Sequence, residues 1–469
     1  MNSVVAIVIG SFLSLTAFIR PDVGIRWIFL TAVLAVGTIT YFLPQFNNVS
    51  WGVGASGVFL IIISLFHFLS KNHTSLDRVT VSLFFFVVFL SIPIIANINY
   101  PLQTIASGKN ILQYWGFVTL ATLGYLHLNS RNKIVKLVII IVIIQAVVSI
   151  YQAMFIVDWG NRLYGGDSVV GTFGGTPEGG GSSGAQTIFL TVVITIALTA
   201  YISNQLKISL LIPLLIVSLI PVSLNETKVF FVLLPIALIY LFITGFKRFP
   251  SRTLQVTAIG FGLVVIIFAI YFVYLQQMSA RDHSKTVSEY TDRMQKSNMG
   301  FYIGEGREAS NSRLGSILFW WGEQVENGHT LELLVGHGLG ASKSGGLIQG
   351  RLSEAGSAYY GLMLDKTGLS YLLWDIGIVG TVLFFLIFVS AWSLARKTRL
   401  RSYTSTYDKS LLWGIECGII ILALSNIYDK YFFTNPALNA FTLLIFSFVV
   451  GIIKSSQSVN TTIMNNTYK

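Results

Sequence analysis

The sequence has little charge and almost no cysteine. Only 11% of its 469 residues are charged, against about 25% in soluble domains. With 53% hydrophobic residues and a mean hydropathy of +0.70, it is neither a soluble globule nor a disordered chain. The single cysteine, Cys417, excludes a disulfide framework and a cysteine-based metal cluster. The class that remains is a polytopic membrane protein.

Several enzyme motifs are also absent. The sequence has no GxxxxGK[ST] phosphate loop, no HExxH zinc motif and no DxD, so the ATPase and zinc-hydrolase classes lose support. The six histidines do not follow a metal-ligand spacing. For an enzyme, these absences leave a mechanism that uses no metal and no cofactor.

Long apolar runs fill most of the chain. A membrane-spanning helix needs about 20 mostly apolar residues, and continuous rather than alternating runs exclude strands as the spanning element. We predict an all-α polytopic membrane protein with about 12–13 transmembrane helices and one large, mainly helical periplasmic loop. The candidate spans are 4–19, 25–44, 51–69, 79–97, 112–128, 134–156, 186–203, 208–223, 229–246, 253–275, 369–395, 410–427 and 435–453.

Basic residues collect in alternate connections between these spans. Of the 31 Lys and Arg residues, 18 lie in those connections or in the C-terminal tail. Because short basic loops stay in the cytoplasm, we predict an outside N-terminus and a cytoplasmic C-terminus. The net charge of +11 is then a topology signal rather than the mark of a nucleic-acid-binding surface.

The spans divide the chain into three parts. Residues 1–275 form an N-terminal bundle of about ten helices with a glycine-rich outside loop at 157–185. Residues 276–368 form the large outside segment, and residues 369–469 hold the last helices and a short cytoplasmic tail. Within the outside segment, opposite-charge pairs four residues apart predict a helix near 280–297. Apolar spacing predicts an amphipathic helix at 311–327, capped by Asn311 or Ser312.

Outside cations are the first group of candidate site residues. Guanidinium groups match phosphate oxygens in a two-pronged geometry, and a lipid-linked pyrophosphate lies at the same interface. The alternative is a solvated or ion-paired surface. The outside cations that we single out are Arg162, Lys228, Arg281, Arg293, Arg307 and Arg313.

Ionisable and aromatic residues form the second group. Asp375 and Glu416 lie inside spans, where a charge is costly and marks function. The alternatives are a helix-to-helix hydrogen bond or a position nearer the membrane interface. His337, in a glycine-rich turn, is either a phosphate, sugar or proton contact or a simple turn residue. Glu226 beside Lys228 is either a general base or half of an ion pair. The neighbouring tyrosines at 359 and 360 are candidates for stacking on sugar rings.

Four stretches resemble the O-antigen ligase and polymerase superfamily. NRLYGGDSVVGTFGG (161–175) is similar to the family's arginine-containing loop, and SLNETK (223–228) resembles its short loop that usually ends in Ser-Arg. NSRLGSILFWW (311–321) with LLVGHGLGAS (333–342) is similar to the family's arginine, tryptophan and glycine signature. YLLWDIGIVGTVLFFLIF (371–388) resembles the helix after the large loop.

The resemblance implies an activity and a place. The family transfers glycans from undecaprenyl-pyrophosphate donors, without metal, on the periplasmic face of the bacterial inner membrane. It implies that Arg162, Lys228 and Arg313 hold the pyrophosphate and stabilise its leaving charge. With Glu226 as a catalytic candidate, the remaining substrate-binding candidates are Arg293, Arg307, His337, Tyr359, Lys366 and Asp375.

One departure from the family pattern affects the choice of reaction. The family's ligases carry a histidine eleven residues before a glycine, and counting back from Gly377 gives Lys366. The missing histidine favours a polymerase over a ligase. It also leaves the acceptor base open among Glu226, His337 and Asp365.

Two readings from different classes follow. The first is an inverting, metal-independent polymerase of lipid-linked oligosaccharide repeats, of the O-antigen or exopolysaccharide type, with a ligase as its variant. The second is a flippase or secondary transporter, which buried acids and proline-broken helices would suit; the large outside segment and the lack of repeated halves count against it. A non-catalytic assembly scaffold is a third reading. We expect undecaprenyl-pyrophosphate-linked oligosaccharides, membrane lipids and a chain-length regulator or flippase as partners.

Overall fold

The computed structural model describes residues 2–70, 76–157, 166–177, 180–225, 227–281, 312–343, 349–356, 359, 361–402 and 404–467. These residues are almost entirely helical. The helices, in chain order, are α1 (Asn2–Ile19), α2 (Pro21–Leu30), α3 (Gly37–Phe42), α4 (Val49–Ser70), α5 (Arg78–Ala96), α6 (Pro101–Leu112), α7 (Gly116–Thr122), α8 (Leu128–Phe155), α9 (Ser183–Ile202), α10 (Ile208–Leu224), α11 (Phe230–Gly245), α12 (Pro250–Arg281), α13 (Arg313–Glu326), α14 (Thr330–Val335), α15 (Arg351–Glu354), α16 (Gly368–Arg399), α17 (Thr406–Tyr428), α18 (Tyr431–Thr434) and α19 (Pro436–Thr467).

Short elements complete the described chain. A π-helical turn, Thr31–Val36, joins α2 to α3, so that Pro21–Phe42 is one continuous rod. Two 3₁₀ turns cover Pro44–Phe46 and Gly166–Ser168. The strands β1 (Gly175–Thr176) and β2 (Gly180–Gly181) pair antiparallel, with Gly175 opposite Gly181.

Among the described residues, ten helices are long and apolar enough to cross a membrane, and two shorter apolar helices, α10 and α11, join them. A helix occupies twelve of the thirteen predicted spans. The predicted all-α polytopic class is therefore confirmed. Burial varies widely among these helices: 94% of the apolar window of α19 is buried against 17% for α1. Thus α19 runs through the middle of the bundle, and α1 lies at its periphery.

The predicted continuous span at 112–128 is wrong. The chain forms α6 and α7 instead, and the helix is broken between them, where Tyr114 has a φ of 65°. A left-handed residue cannot continue an α-helix, and hydropathy does not record it. The two pieces still cross the bundle together. The Gln103 side chain of α6 donates to the carbonyl of Gln349, in the segment between α12 and α16. The Thr122 hydroxyl of α7 donates to Asp77, at the opposite end of the bundle.

The two ends of the bundle differ in their charged contacts. At one end, Arg131 lies 3.3 Å from Asp408, and Arg399 pairs with Glu416. We call this the Arg399 end; it holds the loops that the sequence predicts to be cytoplasmic. The opposite end, which we call the Arg313 end, holds the described part of the long segment between α12 and α16.

Candidate functional site

Helix α13 begins after Ser312, which is one of the two caps that the sequence predicts. The Ser312 hydroxyl accepts a hydrogen bond from the backbone N–H of Gly315 at 2.9 Å, which satisfies one of the free donors of the first turn. The helix buries Trp320 and Gln324 against the bundle. Leu318 and Trp321 are 45% and 54% exposed. These two apolar residues therefore face away from the bundle, as on a helix at a membrane surface, whereas Ile317 packs against it.

Arg313 opens α13 and is fixed by the end of α17. Its Nε donates to the carbonyl of Tyr428 at 2.7 Å, and its Nη2 lies 3.7 Å from Asp429 Oδ2. The guanidinium also stacks 4.2 Å above the Tyr428 ring. Because the last carbonyls of a helix lack intrahelical partners and carry partial negative charge, the end of α17 suits this cation. The guanidinium is thereby oriented while it remains partly exposed.

Four further charged groups interact with Arg313 or with its neighbours. Burial raises the pKa of Asp167, and Lys228 and Arg313 oppose that rise. Burial lowers the pKa of Lys366, and Arg313 lowers it further. Burial raises the pKa of Asp429, and Arg313 again opposes it. We call Asp167, Lys228, Arg313, Lys366 and Asp429 the Arg313 cluster. Its three cations and two carboxylates come from separate parts of the chain.

Asp167 and Asp429 are the two members that sequence reasoning missed, and Asp167 is the more accessible of them. Its side chain is exposed, although protein groups close enough to shift its pKa surround it. Ser183 Oγ, at the start of α9, donates to its Oδ1 at 3.4 Å. An accessible carboxylate with a raised pKa is a candidate proton acceptor. The signal was present: this aspartate lies inside the 161–175 stretch that carries the family resemblance.

The loop after Asp167 is fixed by two glutamines of α8. Gln152 Oε1 accepts from the backbone N–H groups of Val170 and Gly171 at 3.0 and 2.8 Å, and Gln152 Nε2 donates to the Gly171 carbonyl at 2.9 Å. Gln145 Oε1 accepts from the N–H of Thr172 at 2.9 Å. All these groups are buried. Because buried backbone groups need partners, the two glutamines hold the loop inside the bundle.

A second group of charges extends the site. Lys430 Nζ lies 2.5 Å from Asp365 Oδ2, so the carboxylate of Asp365, one of the three base candidates, is held in an ion pair. Burial lowers the pKa of Lys343. Asp375 and Asp365 oppose that decrease, and Lys430 reinforces it. Lys430 also interacts with Lys366. Positive side chains therefore continue from the Arg313 cluster towards Lys343.

The two acids inside spans are satisfied by the protein. Asp375 is fully buried and accepts hydrogen bonds from the N–H groups of Gly340 and Ser342 at 2.7 and 2.9 Å. It thereby holds the glycine-rich turn against α16. Glu416, also fully buried, accepts two bonds from Arg399 and one from the Tyr240 hydroxyl. Glu416 therefore makes the helix-to-helix hydrogen bond of the alternative, whereas Asp375 is bonded to the glycine-rich turn rather than to another helix.

His337 and Tyr359 belong to a different group. The His337 ring is 5.4 Å from the Trp374 ring, its Nε2 lies 3.0 Å from Gln324 Nε2, and burial lowers its pKa to about 4. The Tyr359 hydroxyl donates to Glu323, and burial raises the pKa of that hydroxyl. None of the charges that shift the His337 pKa belongs to the Arg313 cluster. The structure does not bring these two candidates to the cluster.

Four candidates, Arg162, Glu226, Arg293 and Arg307, lie outside the described residues, as does Tyr360. Of the predicted helix near 280–297, only the first two residues are described, and they end α12 at Arg281. Within the part of the chain that the structure describes, no three His, Cys, Asp or Glu side chains are arranged to hold a metal ion. No protein-family model matches the chain, and no curated protein shows a significant match to it.

Proposed function

We propose that the protein is a polymerase of the O-antigen ligase and polymerase superfamily, which joins lipid-linked oligosaccharide repeats in the bacterial inner membrane. The donor would be an undecaprenyl-pyrophosphate glycan at the periplasmic face, on the Arg313 end of the bundle. The observation that carries the proposal is the Arg313 cluster, where three cations converge beside an accessible carboxylate at one end of a membrane bundle.

The proposed reaction is a single displacement at the anomeric carbon of the donor. Asp167 takes the proton of an acceptor hydroxyl, and the hydroxyl oxygen forms the new glycosidic bond with inversion. The bond from the anomeric carbon to the pyrophosphate oxygen breaks, and its electron pair leaves with the pyrophosphate. Arg313, Lys228 and Lys366 face that growing negative charge, and fixed cations of this kind lower such a barrier.

The contacts of the buried acids weaken the carrier reading. A transport path needs ionisable groups that can release and rebind a substrate or an ion. Asp375 is occupied by two backbone N–H groups and Glu416 by Arg399.

Lys366, at the position of the ligase histidine, interacts with Arg313. That cation supports binding of a pyrophosphate, and the histidine of the ligases is missing at this position, which favours the polymerase over the ligase.

A gel of lipid-linked glycans from a deletion strain tests the proposal. We expect single repeat units to accumulate in the deletion strain. Wild type and Arg351→Ala, which changes an exposed arginine of the same segment, should restore long chains; Arg313→Ala should not. Long chains that form normally in the deletion strain but stay on the carrier lipid would show a ligase instead. Repeat units trapped on the cytoplasmic side would show a flippase.

A further inference from the structure

Buried amide side chains connect two loops of the Arg313 cluster. At the loop that carries the proposed base, the backbone N–H of Thr172 donates to Gln145 Oε1 at 2.9 Å. Gln186 Nε2, on α9, donates to the same oxygen at 3.2 Å. Gln186 Oε1 accepts from Asn225 Nδ2 at 3.4 Å, and Asn225 Oδ1 accepts from the backbone N–H of Thr227 at 3.2 Å. An unbroken chain of hydrogen bonds therefore runs from one loop to the other.

The two ends of this chain fix the orientation of every amide in it. A backbone N–H group can only donate, so Gln145 and Asn225 must turn their oxygens towards the loops. Gln186 therefore meets an oxygen of Gln145 on one side and an N–H group of Asn225 on the other. A primary amide can donate and accept at once, whereas a carboxylate can only accept and an alkyl group can do neither. The middle position of the chain requires an amide.

Gln186 lies in a tightly packed position. The side chains of Gln145, Gln186 and Asn225 are all fully buried. Gly171 rests directly on two of them: its φ is 58°, and a Cβ on it would overlap Gln145 Oε1 and Gln186 Nε2. Because buried polar groups that lose their partners are costly, such a network holds the elements around it in one arrangement.

We infer that Gln186 is a positioning residue, which fixes the place of Lys228 relative to Asp167. Thr227 directly precedes the lysine, and Thr172 lies in the same anchored loop as the aspartate. The inference rests on the proposed function, in which Asp167 takes the acceptor proton and Lys228 faces the departing pyrophosphate. These events take place on opposite sides of one anomeric carbon, so the rate depends on the spacing of the two groups.

Gln186→Met tests the inference, because it removes the amide and keeps the length of the side chain. The neighbouring amides retain other partners in this variant. Gln145 Oε1 keeps the N–H of Thr172, and Asn225 Nδ2 keeps the Thr187 hydroxyl, which lies 2.9 Å away. We therefore expect the variant to fold, and thermal unfolding in detergent checks this.

Ser149→Ala is the matched control. The Ser149 hydroxyl is fully buried and accepts from Gln186 Nε2 at 2.9 Å, but it lies on α8, outside both loops. Both variants remove a buried hydrogen bond of the same glutamine. Only Gln186→Met breaks the chain between the loops.

Hydrogen exchange of the intact protein in nanodiscs gives the first measurement, because the N–H groups of Thr172 and Thr227 end the chain. We expect both to exchange about tenfold faster in Gln186→Met, as for the loss of one buried hydrogen bond. Turnover should fall by about 10²-fold, the loss that a misplacement of roughly 1 Å can cause. Ser149→Ala should keep the wild-type exchange and the wild-type turnover.

The acidic limb of the pH–rate profile gives a measurement that a loss of stability would not move. Asp167 is faced by Lys228 and Arg313 and by the phenols of Tyr428 and Tyr431. Lys228 lowers the Asp167 pKa. A displaced Lys228 lowers it less, so the pKa should rise and the limb should move to higher pH in the glutamine variant but not in the control.

The remaining outcomes separate this inference from the proposed function. Equal effects of Gln186→Met and Ser149→Ala would show that the glutamine only stabilises the bundle, and the inference would be wrong. Wild-type exchange in Gln186→Met would also overturn it, because the loops would then be held independently. A wild type that joins no repeats would contradict the proposed function itself. Exchange does not depend on turnover, so it would still decide whether Gln186 connects the loops.

Discussion

Arg313 and Tyr428 are joined twice, by a hydrogen bond from Nε to the carbonyl at 2.7 Å and by a guanidinium that lies 4.2 Å above the phenol ring. The first residue of α13 is thereby attached to the last residue of α17. A guanidinium can bond the carbonyl, stack on the ring and still present its remaining N–H groups to a phosphate, because its donors point in several directions within one plane.

Arg313→Lys should therefore fail although it keeps the charge. An ammonium group cannot stack on Tyr428, donate to its carbonyl and bind a phosphate in a two-pronged geometry at once. We expect turnover by the purified protein to fall by about 10²–10³, the usual loss when one fixed charge-stabilising donor is removed. Arg351→Lys is the matched control and should keep full turnover. Wild-type turnover in Arg313→Lys would show that only charge matters at this position.

Asp167 should set the acidic side of the pH–rate profile. A general base acts only when deprotonated, so activity is present above its pKa and is lost as the pH falls through it. Burial raises that pKa, so the loss should begin above the range of an ordinary aspartate, about 3.9. Asp167→Asn should remove turnover at every pH and leave binding of undecaprenyl pyrophosphate intact.

The serine that donates to Asp167 gives a sharper test. The Ser183 hydrogen bond lowers the Asp167 pKa, so Ser183→Ala should move the acidic limb of the profile to higher pH. Ser203→Ala, which removes a hydroxyl at the Arg399 end, is the control. An acidic limb that stays in place in Ser183→Ala would assign the base to another residue.

Gln152→Leu should release the loop that carries Asp167. The change leaves two buried N–H groups and one carbonyl without a partner, at a cost of about 1–3 kcal/mol each. A cysteine at the fully buried position Val170 reports the release, because the native Cys417 is itself buried. Maleimide should label Val170→Cys slowly alone and rapidly with Gln152→Leu. With the exposed change Gln205→Leu, labelling should stay slow.

Arg399 and Glu416 should matter for stability rather than for polymerisation. Arg399→Leu leaves a fully buried carboxylate without its cation, which costs about 3–5 kcal/mol. The double variant Arg399→Leu with Glu416→Leu removes both charges and should recover most of that loss. Thermal unfolding in detergent measures the stability, and the glycan gel measures the product. Loss of long chains in a stable double variant would restore a transport role for this pair.

The sequence predicted the helices better than the site. Twelve spans follow from apolar length alone, because a bilayer demands it. The break at Tyr114 was missed because a positive φ at an aromatic residue leaves no mark in hydropathy. The candidate Arg313 was identified, but its partners Asp167 and Asp429 were not. The cluster is assembled from the ends of distant helices, and only the tertiary fold brings them together.

The attachment of the 170–172 loop to α8 has a consequence for polymer growth. Two buried glutamines anchor this loop, so the proposed base beside it cannot travel with a lengthening chain. Every bond would then be made at one stationary point, and the polysaccharide would have to advance by one repeat after each addition. In such an enzyme the catalytic site stays in place and the product moves past it. Between two additions, the glycan moves by one repeat while the protein does not.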